Sequence, residues 1–449
     1  MRKEEIGEIT SFLESNGTQF IRYIWCGNSN IIRGKAVHIN RLEAYLQDGI
    51  GISAAHQTYP AIADYMIAGC GIPISEEIRM VADWDTLTVL PYAAGHARVL
   101  TDLFKEGQPW SCCPRHFLKR MIKEAASEGL KIVAAFENEF FLLKSSESQL
   151  IPANNTVLSG SSWTMDLQHG LINDISDALI NQDVPVELYH PESGPGHHEI
   201  SVSHTHALSA ADQQIVFRET VKAVAHQHHL IASFLPKIFS AMEGSGCHLH
   251  LSLWQNGING LPDGEKKGEL SEVAKCFIAG LLHHLPALMA LTTPTSNSYE
   301  RIQPDLNSGA YNCWGFNNRE AAVRVPTNPS PPSPTHFELK TVDASSNPYL
   351  ALGGVIAAGL DGIRRSLQLA EPITTNPDSI AESEREVRGI YRLPIHLGAA
   401  ITELEQDEVL LEALGTDLAQ SYLAVKKKEW GVMKEYSLEQ EVQMLLERY

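Results

Sequence analysis

The run Val133-Ala134-Ala135-Phe136-Glu137-Asn138-Glu139-Phe140-Phe141-Leu142-Leu143 constrains this chain more than any other stretch. It reads as a β-strand. A strand repeats every two residues, so Glu137 and Glu139 emerge on the same side. Phe136, Phe140 and Leu142 make the strand at least partly buried. Two buried carboxylates on one face repel each other and lose hydration. A fold that tolerates them must protonate them, pair them with bases, or hold a cation between them.

Four further segments supply companions. Glu192 and Glu199 flank Ser193-Gly194-Pro195-Gly196-His197-His198, a turn that can bring its two ends together. His248 and His250 share one face of a strand that follows Gly244-Ser245-Gly246. Arg319 and Arg324 close Asn317-Asn318-Arg319-Glu320-Ala321-Ala322-Val323-Arg324, and Glu338 and Lys340 alternate in His336-Phe337-Glu338-Leu339-Lys340. Carboxylates with histidine form a hard donor set suited to Mg2+ or Mn2+. No C-x-x-C pair supports zinc. Arginines beside hard cations point to a phosphate substrate, because guanidinium grips phosphate bidentately. No G-x-x-x-x-G-K-[ST] occurs, so a P-loop does not hold that phosphate. Alone, each segment is equally a surface ion pair, a satisfied histidine or a plain hairpin. Together, in this order, they argue for a nucleotide site with metals in a sheet-lined cavity.

A length of 449 residues allows two or three domains and a large core, and 43% hydrophobic content is that of a globular chain. Net charge is −19 with no basic tract, which speaks against nucleic acid and anionic membranes as partners. Seven cysteines in a long chain argue against a disulfide framework and for a reducing, cytoplasmic setting. No run of about 18 uncharged apolar residues predicts a transmembrane helix. The opening Met1-Arg2-Lys3-Glu4-Glu5 has no signal-peptide apolar core.

Residues 1–108 read as a small sheet-rich domain. It has a helix over 5–15, strands over 18–25 and 31–39 around Gly27-Asn28-Ser29-Asn30, and further strands at 79–82, 87–91 and 97–101. Gly107-Gln108-Pro109-Trp110 is the joint, and residues 109–449 form the larger domain. There, helices at 114–129, 165–181, 210–228 and 270–291 accompany strands at 184–190, 230–236 and 246–254. The chain from about residue 405 onward is charged and helical, and four prolines keep 328–335 extended. The pattern predicts an α+β fold, with helices packed on a mainly antiparallel sheet. His204 and His206 are expected to stay outside the cavity, and His283 and His284 to serve packing.

The wording of these segments resembles the glutamine synthetase family across about residues 110–449, and more faintly before that. The resemblance rests on Glu137-Asn138-Glu139-Phe140, on Gly194-Pro195-Gly196 followed by Glu199, and on Gly244-Ser245-Gly246-Cys247-His248. It rests equally on Asn297-Ser298-Tyr299-Glu300-Arg301, on the stretch ending at Arg324, and on Ser346-Asn347-Pro348-Tyr349-Leu350. Within the family, Cys313-Trp314-Gly315 and its surroundings look most like the nodulin/glutamine-synthetase-like proteins. The resemblance implies a β-grasp-like N-terminal domain and a catalytic domain whose antiparallel sheet forms a half-barrel flanked by helices. It implies an ATP-dependent carboxylate–amine ligase, two or three Mg2+ or Mn2+ ions per site, and a homo-oligomer with sites between subunits. That oligomer would be a double-ring dodecamer or a decamer.

By motif match, Glu139, Glu192 and Glu199 would hold the ion nearest the amino acid, and Glu137, His248 and Glu338 the ion at the ATP phosphates. Arg319 and Arg324 would stabilise phosphate oxygens, and Arg301 would pair with the substrate α-carboxylate. His250 would lie near the transferred phosphate, Gly244 would touch the substrate through its backbone, and Ser252 would touch ATP. Two positions assigned to the catalytic set are departures. Asn307 stands where the family's flap glutamate is expected, and Lys340 where an arginine is expected. Glu243 replaces the asparagine that usually precedes Gly-Ser-Gly, and the ammonium-binding aspartate has no clear counterpart near Asp48. These departures predict a γ-glutamyl amide made with an amine larger than ammonia. The alternatives are a genuine glutamine synthetase and a non-catalytic ring-forming relative.

Overall fold

The computed structural model describes residues 3–146, 149–156, 158–329 and 332–449. The readings on Met1-Arg2 and on residues 330–331 of the proline-rich segment lie outside them. Helix α1 (Lys3–Ser15) precedes strands β1 (Phe20–Cys26), β2 (Ile32–His38), β3 (Ile50–Ser53), β4 (Glu77–Val89), β5 (His96–Lys105) and β6 (Gln108–Pro109). The sheet order is β2-β1-β5-β4-β3, antiparallel except for the parallel pair β1/β5, with β6 on β5. Alternate residues Ile21, Tyr23, Ala97 and Val99 turn inward to a core that Leu13 of α1 completes. The two strands expected at 79–82 and 87–91 are one strand. Its register shifts between Asp83 and Thr88, so the polar stretch between them bulges without ending the pairing.

The second sheet contains β7 (Lys131–Ser146), β8 (Gln149–Pro152), β9 (Val186–Pro191), β10 (His197–Val202), β11 (Thr205–His206), β12 (Ile231–Ser233), β13 (Cys247–Gln255) and β14 (Ile258–Asn259). It continues through β15 (Tyr311–Phe316), β16 (Ala321–Val325) and β19 (Phe337–Leu339), while β17 (Thr327–Pro329) and β18 (Pro332–Pro334) pair with each other in a separate two-stranded sheet. Its order is β15-β16-β19-β13-β7-β10-β9, all antiparallel but β15/β16. The carboxylate strand β7 is thus its hub. The helices are α2 (Pro114–Ser127), α3 (Ser162–Ile180), α4 (Ala207–Gln227), α5 (Glu272–Thr292), α6 (Ser296–Arg301), α7 (Pro348–Arg364), α8 (Glu382–Val387), α9 (Leu397–Gln406), α10 (Glu408–Leu414), α11 (Thr416–Met433) and α12 (Leu438–Leu445). The result is the expected α+β class, a β-grasp-like sheet followed by a half-barrel sheet flanked by helices.

Helix α7 is buried along its whole length from Pro348 to Gly362, so it shows no amphipathic period. Asn347 caps it, accepting from the backbone N–H groups of Tyr349 and Leu350. Helix α5 is long and apolar enough to cross a membrane by length and composition. Here it packs against α7, with the backbones touching at Gly280 and Gly362. The two sheets meet around Arg115 of α2. Its guanidinium pairs with Asp83 of β4 at 2.8 Å, Asp102 of β5 at 3.0 Å and Asp212 of α4 at 2.8 Å.

His284 is not a simple packing residue. Its Nε2 lies 2.9 Å from Asp361 Oδ2 and its Nδ1 2.6 Å from Asp407 Oδ2, inside the junction of α5, α7 and α10. Burial opposes its charge, but the two carboxylates win and raise its pKa. The folded-state value is above the unfolded one. The stabilisation is therefore complete below the unfolded pKa of about 6.5 and fades as pH rises through the folded value. H284Q is expected to lose about 1–3 kcal/mol at pH 6 and clearly less at pH 9. Denaturant melts of both proteins at the two pH values measure this, and an equal deficit at both would refute it.

Candidate active site

The register of the second sheet draws the predicted ligands into one band. On one side of β7, Glu199 of β10 stands opposite Glu139, and His190 of β9 stands opposite Glu199. On the other side, His248 of β13 stands opposite Glu137, and His250 opposite Glu338 of β19. Arg324 of β16 in turn stands opposite Glu338. Glu192 joins the band because the turn after β9 closes tightly, with Glu192 N–H donating to His197 O at 3.0 Å. Gly196 permits that turn. Its φ is +72°, and a Cβ there would sit 2.5 Å from Leu142 O of β7.

The band forms two clusters. In one, ligand atoms of His190, Glu192 and Glu199 lie within 4.8 Å of one another; in the other, those of Glu137, His250 and Glu338 do. His248 stands beside the second and reaches toward Glu139. Its Nδ1 is 3.0 Å from Glu137 Oε2 and 3.1 Å from Glu338 Oε1, and its Nε2 is 4.0 Å from Glu139 Oε1. Gly246 keeps this gap open, because a Cβ there would be 2.7 Å from His248 Nε2 and 3.0 Å from Glu139 Oε1. Ligand atoms about 4 Å apart suit an ion that binds at about 2.0–2.2 Å. The donor chemistry and this side-chain-free gap fit a hard divalent cation.

The electrostatics agree. Burial, then the charges of Glu137, Glu139 and Glu192, push Glu199 up to about 10, so the carboxylates need a positive neighbour. Glu139 goes the other way. Burial would raise it, but hydrogen bonding to His197, nearby imidazole and the Gly246 N–H hold it at about 2. Glu338 is 1% exposed and lies well below the usual range, because Lys340 and His248 outweigh burial. Its Oε2 accepts from Arg324 Nη1 at 3.0 Å and its Oε1 from Lys340 Nζ at 3.0 Å.

The remaining predicted residues divide. Arg301 is buried, and its Nη2 donates to the carbonyls of Lys340 and Val342. Gly244 lies against it, since a Cβ there would be 2.7 Å from Arg301 Cγ. His250 and Ser252 line a cavity of about 510 Å³ with Glu137, Leu188, Trp254 and His336. Trp254 Nε1 donates to Ser252 Oγ at 2.9 Å. His204 also lines this cavity, against expectation, because the pairing of β11 with β7 holds the residue just before β11 beside it. Arg319 lies exposed on the turn between β15 and β16, and the same turn's Glu320 accepts from the Asn307 N–H at 2.9 Å. Lys340 is buried against Glu338 and Asn307 is exposed.

Two members of the band are absent from the predicted set, His190 and His197. His190 shares a strand face with Glu192, an i, i+2 signal visible in the sequence. His197 lies 3.4 Å from Glu139 Oε2 and stacks on Phe141 with centroids 4.3 Å apart. Only the β7/β10 register reveals it.

Residues 111–445 match the family model described as "Glutamine synthetase, catalytic domain". The chain is similar to a glutamine synthetase of Pyrococcus abyssi, with 35% identity over 93% of this chain and 91% of that protein. It is as similar to a gamma-glutamylpolyamine synthetase, GlnA3, of Streptomyces coelicolor, with 35% identity over 95% and 93% of the two chains. Among solved structures, "GmaS/ADP complex-Conformation 1" superposes with a TM-score of 0.84 at 28% identity, covering 97% of this chain and 98% of that one.

Proposed function

The chain belongs to the glutamine synthetase family, and on that premise we propose that it is an ATP-dependent ligase joining the γ-carboxylate of glutamate to an amine other than ammonia. The observation that carries the amine is the loop at 304–308. Asn307 holds a φ of +51° with its N–H on Glu320, and it offers a neutral amide where a carboxylate is expected. Asp305, the nearest acid in that loop, accepts from Asn376 Nδ2. A neutral side chain at position 307 attracts NH4+ less than a carboxylate would and leaves room for a carbon substituent. The likeness to a polyamine-using relative supports the same reading.

In this reading ATP occupies the cavity beside Ser252 and Trp254, with its phosphates toward Glu137 and His250. Glu137, His248, His250 and Glu338 would hold one divalent ion, and Glu139, Glu192 and Glu199, with His190, the other. When bound, such ions neutralise the phosphate oxygens and align them for in-line transfer. The chain's own part is positional. Arg319, which has no partner among the described residues, is free to reach departing phosphate oxygens, and Arg301 orients the amino acid. Glutamate attacks the terminal phosphorus, ADP leaves, and the amine then displaces phosphate from the γ-glutamyl phosphate. A double-ring homo-oligomer with shared sites belongs to the same reading.

An ADP-release assay with glutamate and a panel of ammonia, monoamines, diamines and polyamines tests it, with the product identified by mass spectrometry. The expected result is a kcat/KM for at least one amine about tenfold above that for ammonia. Ordinary saturation by ammonia would instead favour a genuine glutamine synthetase, a reading to which the Glu320 carboxylate beside Asn307 lends weight. A thermal midpoint unmoved by Mg2+ with ATP would favour a non-catalytic scaffold, since binding to the native state must raise it.

A further inference from the structure

Strand alternation sends two neighbouring histidines of β10 in opposite directions. His198 turns away from the acids, with its Nδ1 3.2 Å from the Tyr189 hydroxyl. His197 shares the face of Glu199, and it stands opposite Phe141 as Glu199 stands opposite Glu139. Its buried ring lies on the Phe141 ring, with centroids 4.3 Å apart and planes 6° from parallel. Stacking fixes the plane of the imidazole, and polar contacts fix its rotation within that plane. Nδ1 is 3.3 Å from Ser193 O, while Nε2 is 3.1 Å from Ser245 Oγ and 3.4 Å from Glu139 Oε2. One side chain thus ties together β7, the turn that begins at Glu192, and the loop before β13.

Glu139 shows what the tie accomplishes. Its Oε2 also accepts from the Gly246 N–H at 2.9 Å, so this oxygen is committed to the chain. Its Oε1 accepts no hydrogen bond among the described residues, and His248 Nε2 is 4.0 Å from it. A carboxylate gripped by one oxygen presents the other in a fixed direction. We propose that His197 is a positioning residue, which holds Glu139 by Oε2 so that Oε1 is kept for the divalent ion shared with Glu192 and Glu199. It is not itself a ligand, because both of its ring nitrogens face oxygens of the chain. The inference rests on the ligase reading and deepens it, adding to the ion's side chains the group that orients one of them.

The test titrates full-length wild type, H197F, H197Q and H197N calorimetrically with Mn2+ alone, without nucleotide. The binding step lost in E199Q marks the ion in question. H197F keeps a ring to stack on Phe141 and loses both nitrogens. Its Mn2+ affinity at that step is expected to fall about 10- to 100-fold, the usual loss when the partner of a metal ligand is removed. H197Q, whose amide can still reach Glu139, should stay within about fivefold of wild type. H197N keeps a polar group near Ser193 but is too short for Glu139. It should weaken binding as H197F does, and it decides the matter if H197F does not fold. Unchanged affinity in H197F would overturn the inference. So would equal weakening in H197Q and H197F, since the loss would then follow packing and not the hydrogen bond. A lower urea midpoint in EDTA with Mn2+ affinity intact would make the role of His197 one of stability alone and overturn it too. A wild type that binds no Mn2+ would overturn the metal-dependent ligase reading itself, and that result is distinguishable because it appears before any substitution is made.

Discussion

E338Q is expected to lose about 10²- to 10³-fold in kcat/KM and, separately, about 3–5 kcal/mol of stability. The two losses have different causes. Glu338 belongs to the cluster that Glu137 and His250 complete, so the neutral amide removes a hard oxygen donor. It also sits between Arg324, Lys340 and His248, all within 3.1 Å. Lys340 is only 2% exposed, so losing its carboxylate strands an ammonium in the interior. The double variant E338Q/K340M separates the effects. It should recover much of the stability and none of the activity. Denaturant midpoints and steady-state rates for the three proteins measure both quantities. An E338Q enzyme within threefold of wild-type turnover would remove Glu338 from the site.

A second large effect is expected far from the chemistry. G280L should cost at least about 3 kcal/mol. A Cβ at Gly280 would sit 2.3 Å from Ala358 O and 2.8 Å from the Gly362 backbone. Those are backbone atoms of α7, which cannot swing away as a side-chain tip can. Even G280A should be destabilising, although alanine is the better helix former by about 1 kcal/mol. Gly431 in α11 provides the contrast, because nothing lies within 4 Å of its missing Cβ. G431A should therefore keep the propensity gain and stabilise by up to about 1 kcal/mol. Urea melts of the three variants decide the point. If G280A and G431A shift in the same direction, close helix approach is not what the glycine serves.

What could be read before folding was whatever has a short period. Glu137 with Glu139, His248 with His250, and Glu338 with Lys340 are i, i+2 pairs, and their shared faces follow from strand geometry alone. What could not be read was register. Nothing local states that Glu199 faces Glu139 or that His250 faces Glu338, yet those pairings create the two clusters. His197 was hidden for this reason, and so was the place of His204 in the cavity wall. Helix α7 escaped because a helix buried all round loses its polar stripe, leaving only the Asn347-Pro348 start signal. The Asp83 to Thr88 bulge escaped because its polar residues look like a turn. The distant partner strand β5, and not the local sequence, carries the pairing across it. The departures at Asn307 and Glu243 were visible as letters, but their surroundings were not.

The guanidinium of Arg115 has a bearing on how such chains recombine. It draws acids from β4, β5 and α4 onto one group, with Lys119 assisting Asp83 and Asp102. A hybrid gene that crossed from one ancestor to another anywhere between codons 102 and 212 would inherit a donor from one parent and acceptors from both. Unless both parents carried the same arrangement, uncompensated anions would remain at the seam. The front and rear of this chain are thus expected to travel through evolution, and through any shuffling library, as a single heritable block.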